Sequence, residues 1–318
     1  MPISKPTNTN VPFDNRMNEW FKVRTVTAQD IPELVAVFGR AFSDYYVPME
    51  MDEQHLRQFI ELNDIVLDLS VVSEDTSGHM VGHSLSGKRG TLGWVGGAGV
   101  VPEHRRKGIG TAMVQKQVQA LKASGVNEVR LEVISRNVRA MPMYEKLGFA
   151  ATRNLHYFRL QRPEPEEVIS LPDDLRFEPC AVAQVLEMYR PDHPWQSMKE
   201  SVGRLQDARA FMSFSESNET YVEEFGLNLP DLPESNDSLR PDGPELEGYC
   251  LYRELEKGIG IIDIYSTENA RALIQRLIQI SNGMPIIASH VFDPAVISAY
   301  DDLGFERYIM QQEMTKDI

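Results

Sequence analysis

The residues of this chain best suited to chemistry lie in one short run, Val100 to Thr111, reading VVPEHRRKGIGT. Arg105, Gly108 and Gly110 stand at R-x-x-G-x-G spacing. Glycine lets main-chain N–H groups come close to a ligand where a Cβ would collide. A helix that opens here turns its unpaired N–H groups and the positive end of its dipole toward an anion. Arg105 and Arg106 add charge-assisted donors. The chemistry these features share is a diphosphate cradle. It is not a P-loop, because no Gly-Lys-Ser/Thr follows. It is not a dinucleotide fingerprint either, because the G-x-G-x-x-G spacing is missing.

The elements that must position this run follow from periodicity. Upstream, Phe21 to Val26 alternates as a strand, and Ile31 to Phe42 carries apolar residues at helical spacing behind the capping residues Thr27 and Asp30. A second helix is expected over Glu53 to Asn63, and strands over Ile65 to Ser73 and His79 to Ser86. Thr91 to Val101 reads as a strand with Gly93, Gly96, Gly97 and Gly99, a composition that marks a bulge or a close backbone approach. Thr111 to Ser124 is a helix with Met113, Val114, Val118 and Leu121 on its core face. Val129 to Ile134 is a strand, followed by Asn137, a short helix over Ala140 to Lys146, and Leu147-Gly148-Phe149. Pro142 is tolerated there because it falls in the first turns. Tyr157 to Leu160 is the last strand of this half.

Strand, R-x-x-G-x-G, helix, strand and N-x-x-A-x-x-x-Y-x-x-L-G-F is the order found in the GNAT superfamily of N-acetyltransferases, which residues 21–160 resemble. The resemblance implies an α/β fold: a mixed, mostly antiparallel sheet with a splayed parallel strand pair, flanked by helices. It implies acetyl-CoA as co-substrate and no metal. The diphosphate would be held by Arg105, Arg106, Lys107, Gly108, Ile109, Gly110 and Thr111, mainly through main-chain N–H groups. A main-chain N–H at Val100 or Val101 would face the thioester carbonyl, and Asn137 would bond the pantetheine arm. Tyr144 would be the general acid that protonates the departing thiolate, a task suited to a phenol with a pKa of about 10. The Asp44 to Pro48 segment would cover the acceptor. The strand from Thr91 to Val101 has no acid to serve as base, which leaves Glu132, His83 or water.

The second half repeats the first. Tyr300 and Leu303-Gly304-Phe305 match Tyr144 and Leu147-Gly148-Phe149 at an offset of 156 residues (300 less 144), and Asp293 falls on Asn137. Where the first copy has its Gly-rich turn, the second has Ser266-Thr267-Glu268-Asn269, and a carboxylate at a helix start repels a diphosphate. The organisation expected is a tail over 1–20, a GNAT domain over 21–160, a Pro- and Glu-rich linker over 161–174, and a degenerate GNAT-like domain over 175–318. The linker composition and the acidic, Pro-rich stretch between Gly226 and Glu247 both read as irregular chain.

Bulk composition bounds the partners. The 318 residues carry 32 Lys and Arg against 47 Asp and Glu, a net charge of −15. That disfavours nucleic acid and anionic membrane. Two cysteines make neither a disulfide framework nor a metal site. No apolar run has the length of a membrane span, and the first residues lack the apolar core of a signal peptide, so a cytoplasmic location is expected. The function expected is transfer of acetyl from acetyl-CoA to a primary amine of a small molecule, in a monomer or homodimer. The alternative from another class is an acetyl-CoA-binding regulatory module without turnover.

Overall fold

The computed structural model of the chain describes residues 20–47, 49, 51–161, 171–215 and 245–318. Nearly all of the expected tail, most of the expected linker and residues 226–244 of the acidic, Pro-rich stretch lie outside the described residues. Two compact units emerge: residues up to Val129 with Asp317–Ile318, and Arg130–Lys316.

The first unit contains β1 (Phe21–Thr25), α1 (Ile31–Ala41), α2 (Glu53–Leu62), β2 (Val71–Asp75), β3 (Met80–Arg89), β4 (Leu92–Val100) and α3 (Ile109–Ala123). Its strands pair antiparallel in the order β1-β2-β3-β4. The chain enters α1 through a local lock in which the Thr27 N–H and hydroxyl both donate to the Asp30 carboxylate, which also holds Arg24. Ile31, Leu34, Val37, Phe38 and Ala41 then fall on one buried face. The strand expected from Ile65 begins only at Val71. Before it, Leu67–Leu69 forms a 3₁₀ turn, because the Ser70 hydroxyl donates back to the Val66 carbonyl at 2.9 Å and closes the chain on itself. The α3 helix is fixed on β3 by the buried Gln117, which accepts from Ser84 at 2.6 Å and donates to Ser86 and to the Leu85 carbonyl.

The expected bulge lies in β4. Ser84 faces Ala98 and Ser86 faces Val95, so β4 takes one residue more than β3 between these pairs. Gly97, inside the bulge, has φ of +92°, a conformation that favours glycine.

The second unit contains most of β5 (Glu128–Ile134), α4 (Ala140–Lys146), β6 (Ala150–Leu160), β7 (Leu175–Cys180), α5 (Val182–Glu187), α6 (Lys199–Val202), β8 (Ala208–Ser215), β9 (Glu245–Leu255), β10 (Gly258–Ser266), α7 (Ala270–Ser281), β11 (Ile286–Val291), α8 (Pro294–Asp302) and β12 (Glu306–Asp317). The strand order is β5-β12-β6-β11-β10-β9-β8-β7. The sixth strand of each repeat therefore lies beside the fifth strand of the other: β6 pairs antiparallel with β11, and β12 lies between β5 and β6. This exchange accounts for a division at Val129/Arg130 instead of within the linker: β6 is hydrogen-bonded on both sides to strands of the C-terminal repeat.

The parallel pair β10–β11 holds register only from Ile259–Ile286 to Ile261–Ala288. Beyond it β10 bulges against β9 and β11 bulges against β6, which splays the pair. Leu273, Ile274 and Leu277 of α7 pack here with Ile259, Ile286 and Tyr300.

Candidate functional site

The cradle sequence folds as a 3₁₀ turn over Pro102–His104 followed by two residues with left-handed backbone, Arg106 at φ +62° and Gly108 at φ +78°. Gly108 is the N-cap of α3; no side chain caps the helix and no acid occupies its first turn. The first helical main-chain bond runs from Ala112 N–H to Gly108 O at 3.0 Å. Among the described residues, no main-chain acceptor pairs with the six N–H groups from Arg106 to Thr111. Alternating left-handed and right-handed backbone turns consecutive N–H groups to one side, forming a concave anion site. Arg106 and Lys107 are exposed beside it. The residues present fit the diphosphate of a coenzyme A thioester.

The corresponding place in the second unit is already filled by the protein. At the start of α7, the Asn269 N–H donates to the Ser266 hydroxyl at 2.6 Å. The Thr267 hydroxyl and the Asn269 amide both donate to the Glu247 carboxylate. The sequence points to Glu268 as the repelling acid; the structure adds Glu247 from β9, which lies 21 residues earlier and carries no local signal.

Two of the expected site residues, Arg105 of the cradle and Val101 at the strand end, are engaged elsewhere. The Arg105 guanidinium donates to Val100 O, Ala41 O and both oxygens of Asp44, and the Arg105 main-chain N–H donates to Pro102 O at 3.3 Å. Four of the five side-chain donors that an arginine has are thus committed to protein acceptors. The Asp44 carboxylate raises the Arg105 pKa further above its usual value. The Val101 N–H donates to Val81 O at 2.9 Å, so it is not open to a thioester carbonyl. Val100 faces Gly82 in the register of β3 and β4. With Val101 bonded to Val81, this is the wide type of antiparallel pair, in which the Val100 main-chain groups face away from β3. Of the two strand-end donors expected, Val100 is the one not directed at β3.

Asn137 and Tyr144 belong to the second unit. The Asn137 Oδ1 accepts from Ala140 N–H at 3.1 Å and so begins α4. Asp293 does the same for α8, accepting from Ala295 and Val296. Part of what the repeat preserves at this position is helix capping. Tyr144 is buried at 7% exposure and meets Phe149 edge-on, with ring centroids 5.8 Å apart.

The two side chains considered for the base differ in surroundings. His83 on β3 is fully buried and stacks on Phe38 at 5.0 Å. Burial lowers its pKa to about 4, so it is neutral at pH 7 but a weak proton acceptor. Glu132 lies on β5 on the partly exposed side of the strand.

Residues 34–149 match the model of the acetyltransferase (GNAT) family. An N-alpha-acetyltransferase of Sulfurisphaera tokodaii is 28% identical over 148 residues, covering 43% of this chain and 86% of its own length. N-alpha-acetyltransferase 30 of Schizosaccharomyces pombe is 32% identical over 87 residues, covering 27% of this chain and 58% of its own. Among solved structures, a GCN5-related N-acetyltransferase from Sphaerobacter thermophilus is similar over 93% of this chain and 95% of its own, with a TM-score of 0.68 and 14% identity. A tandem GNAT protein from the clavulanic acid biosynthesis pathway is similar over 93% and 98%, with a TM-score of 0.62 and 12% identity. At those identities the two structures speak for the fold, and both matches extend through both repeats.

Proposed function

We propose that this chain, whose residues 34–149 match the model of the acetyltransferase (GNAT) family, moves an acetyl group from acetyl-CoA to a primary amine of a small molecule, by direct attack in a ternary complex. The observation that carries the reading is the run of six main-chain N–H groups from Arg106 to Thr111, free of main-chain acceptors among the described residues. In this reading they hold the diphosphate, with Arg106 and Lys107 adding charge. The second repeat, with its helix start occupied by Glu247 and Ser266, binds no acetyl-CoA of its own.

The chemistry assigns few tasks to the protein. The amine nitrogen attacks the thioester carbonyl, the C–S bond breaks, and the thiolate takes a proton. The Val100 N–H donates to the carbonyl oxygen as charge develops there, a contribution of a few kcal/mol when such a donor is preorganised. Asn137 steadies the pantetheine arm. Tyr144 gives its phenolic proton to the thiolate and regains one from solvent. The proton lost by the amine goes to Glu132 or to water, since His83 is both enclosed and weakly basic.

Isothermal titration with acetyl-CoA tests the reading, comparing the intact chain with an Arg106→Glu, Gly108→Glu double variant. The expected result is one acetyl-CoA per chain, lost in the variant. A stoichiometry of two means that the second repeat also binds, and no binding removes the proposal. Thiol release with a diamine, an aminosugar, an amino acid amide and a short peptide bearing a free N-terminus then separates small-molecule from peptide acceptors. Binding without release for any of them favours a sensor of acetyl-CoA.

A further inference from the structure

Arg105 heads the R-x-x-G-x-G run yet turns away from the cradle, and its contacts give it a different task. Its Nε donates to Val100 O at 2.9 Å, at the end of β4. Its Nη2 donates to Ala41 O at 3.0 Å. Ala41 is the last residue of α1, so this carbonyl is one of those a helix leaves without an internal partner. A guanidinium there also meets the negative end of the helix dipole. The remaining edge takes Asp44 in a two-pronged pair, each N–O distance being 2.6 Å. An exposed ion pair alone contributes little. Here one planar group joins the pair to carbonyls from two separate segments, a geometry that lysine cannot copy.

What it holds is the chain just after α1. Phe38, Phe42, Tyr45 and Tyr46 form a ladder of ring contacts, with successive centroids 4.7, 5.1 and 5.4 Å apart. Asp44 sits inside that ladder. On the other side, Arg105 directly precedes Arg106, the first N–H of the cradle.

We infer that Arg105 is a positioning residue that couples the Arg106–Thr111 turn to the Phe42–Val47 segment, so that filling the turn orders the segment. The inference rests on the reading that the turn holds acetyl-CoA. A bound diphosphate fixes the backbone from Arg106 onward, and the Pro102 carbonyl fixes Arg105 from the other side. The guanidinium is then anchored at its base, and Asp44 with its aromatic neighbours follows. By reciprocity, whatever orders the segment also tightens acetyl-CoA binding.

Amide hydrogen exchange of the full chain, with and without saturating acetyl-CoA, tests this in the wild type, Arg105→Lys, Asp44→Asn and the double variant. Without ligand, the amides of residues 43–47 should exchange about tenfold faster in each variant than in the wild type, the fold expected for losing one well-formed charged contact. Acetyl-CoA should slow their exchange further in the wild type only. Titration should keep acetyl-CoA affinity within about threefold of wild type in the single variants, and the double variant should match either single one, because both remove the same contact. A loss of affinity of about thirtyfold or more in Arg105→Lys, with exchange unchanged, makes Arg105 a diphosphate ligand and overturns the inference. Equal exchange in all four proteins overturns it too. If the wild type binds no acetyl-CoA, the functional reading and the coupling fall together, while the ligand-free comparison still decides whether Arg105 holds the segment.

Discussion

A Cβ placed on Gly99 would stand 2.9 Å from Cε1 of His83 and 2.9 Å from the Ala41 methyl. The two residues are register partners on β4 and β3, and the end of α1 lies directly over them. Gly99→Ala therefore overpacks a stiff place. It should destabilise the first unit by about 1–3 kcal/mol, the usual cost of a forced methyl in a packed core. Urea unfolding of the variant beside the wild type measures this, and an unchanged midpoint would show that α1 yields easily.

His83 sets a pH limit on the same unit. Its pKa is about 4 in the folded chain and about 6.5 when unfolded, because burial disfavours the imidazolium. A depressed folded pKa means that the unfolded chain takes up the proton first. The contribution is fully present above pH 6.5 and is lost as pH falls toward 4, by roughly 3 kcal/mol at most. His290 shifts in the same direction in the second unit. Replacing His83 with Leu, an apolar residue among Phe38 and Phe42, should flatten the acid side of the stability curve between pH 6 and 4. Equal slopes for variant and wild type would count against the buried neutral form.

Gly108 enters α3 at φ +78°, where a Cβ costs about 1–2 kcal/mol. Gly108→Ala should lower stability by that amount and weaken acetyl-CoA binding by about tenfold or more, since the N–H groups on either side lose their aim. Gly125→Ala is a control for strain alone: it also has positive φ, at +90°, and lies at the far end of α3. It should lose similar stability but keep its affinity.

Tyr144 and Tyr300 occupy matching positions in the two repeats and should respond oppositely. The Tyr300 hydroxyl is buried and has no hydrogen-bond partner among the described residues. Tyr300→Phe should be neutral or stabilising by about 1 kcal/mol, because an unsatisfied buried hydroxyl is removed. Tyr144→Phe should lower kcat by about 10²–10⁴-fold if its phenol is the proton donor. Equal kinetics for wild type and Tyr144→Phe would leave Tyr144 as a packing residue against Phe149.

The cradle was legible in the sequence because its signal is local: glycine spacing, flanking cations and a helix start within twelve residues. The repeat was legible for the same reason, through Tyr-x-x-Leu-Gly-Phe. What escaped is non-local. Asp44 and Arg105 meet across 61 residues, and Glu247 reaches the start of α7 from another strand. The sixth strands escape a sequence reading because charged residues interrupt their apolar pattern: Arg153 pairs with the buried Glu313, and Arg159 with the exposed Glu306. In β6 only Leu155 and Phe158 are buried, so only its last third reads as a strand, and β12 buries only Glu313 and Met314, which leaves no strand periodicity to read.

The exchanged strands bear on how such a chain can evolve. The copy without a cradle supplies β12, which lies against β5 of the copy that has one, and it receives β6 in return. Severed in the connecting segment, either half is left with an unpaired strand edge, a surface prone to aggregation. Selection can therefore erase the ligand chemistry of the second copy while being unable to discard the copy itself. The second copy is thus tied to the first through its strands, while the start of its α7 is closed by Ser266 and Glu247.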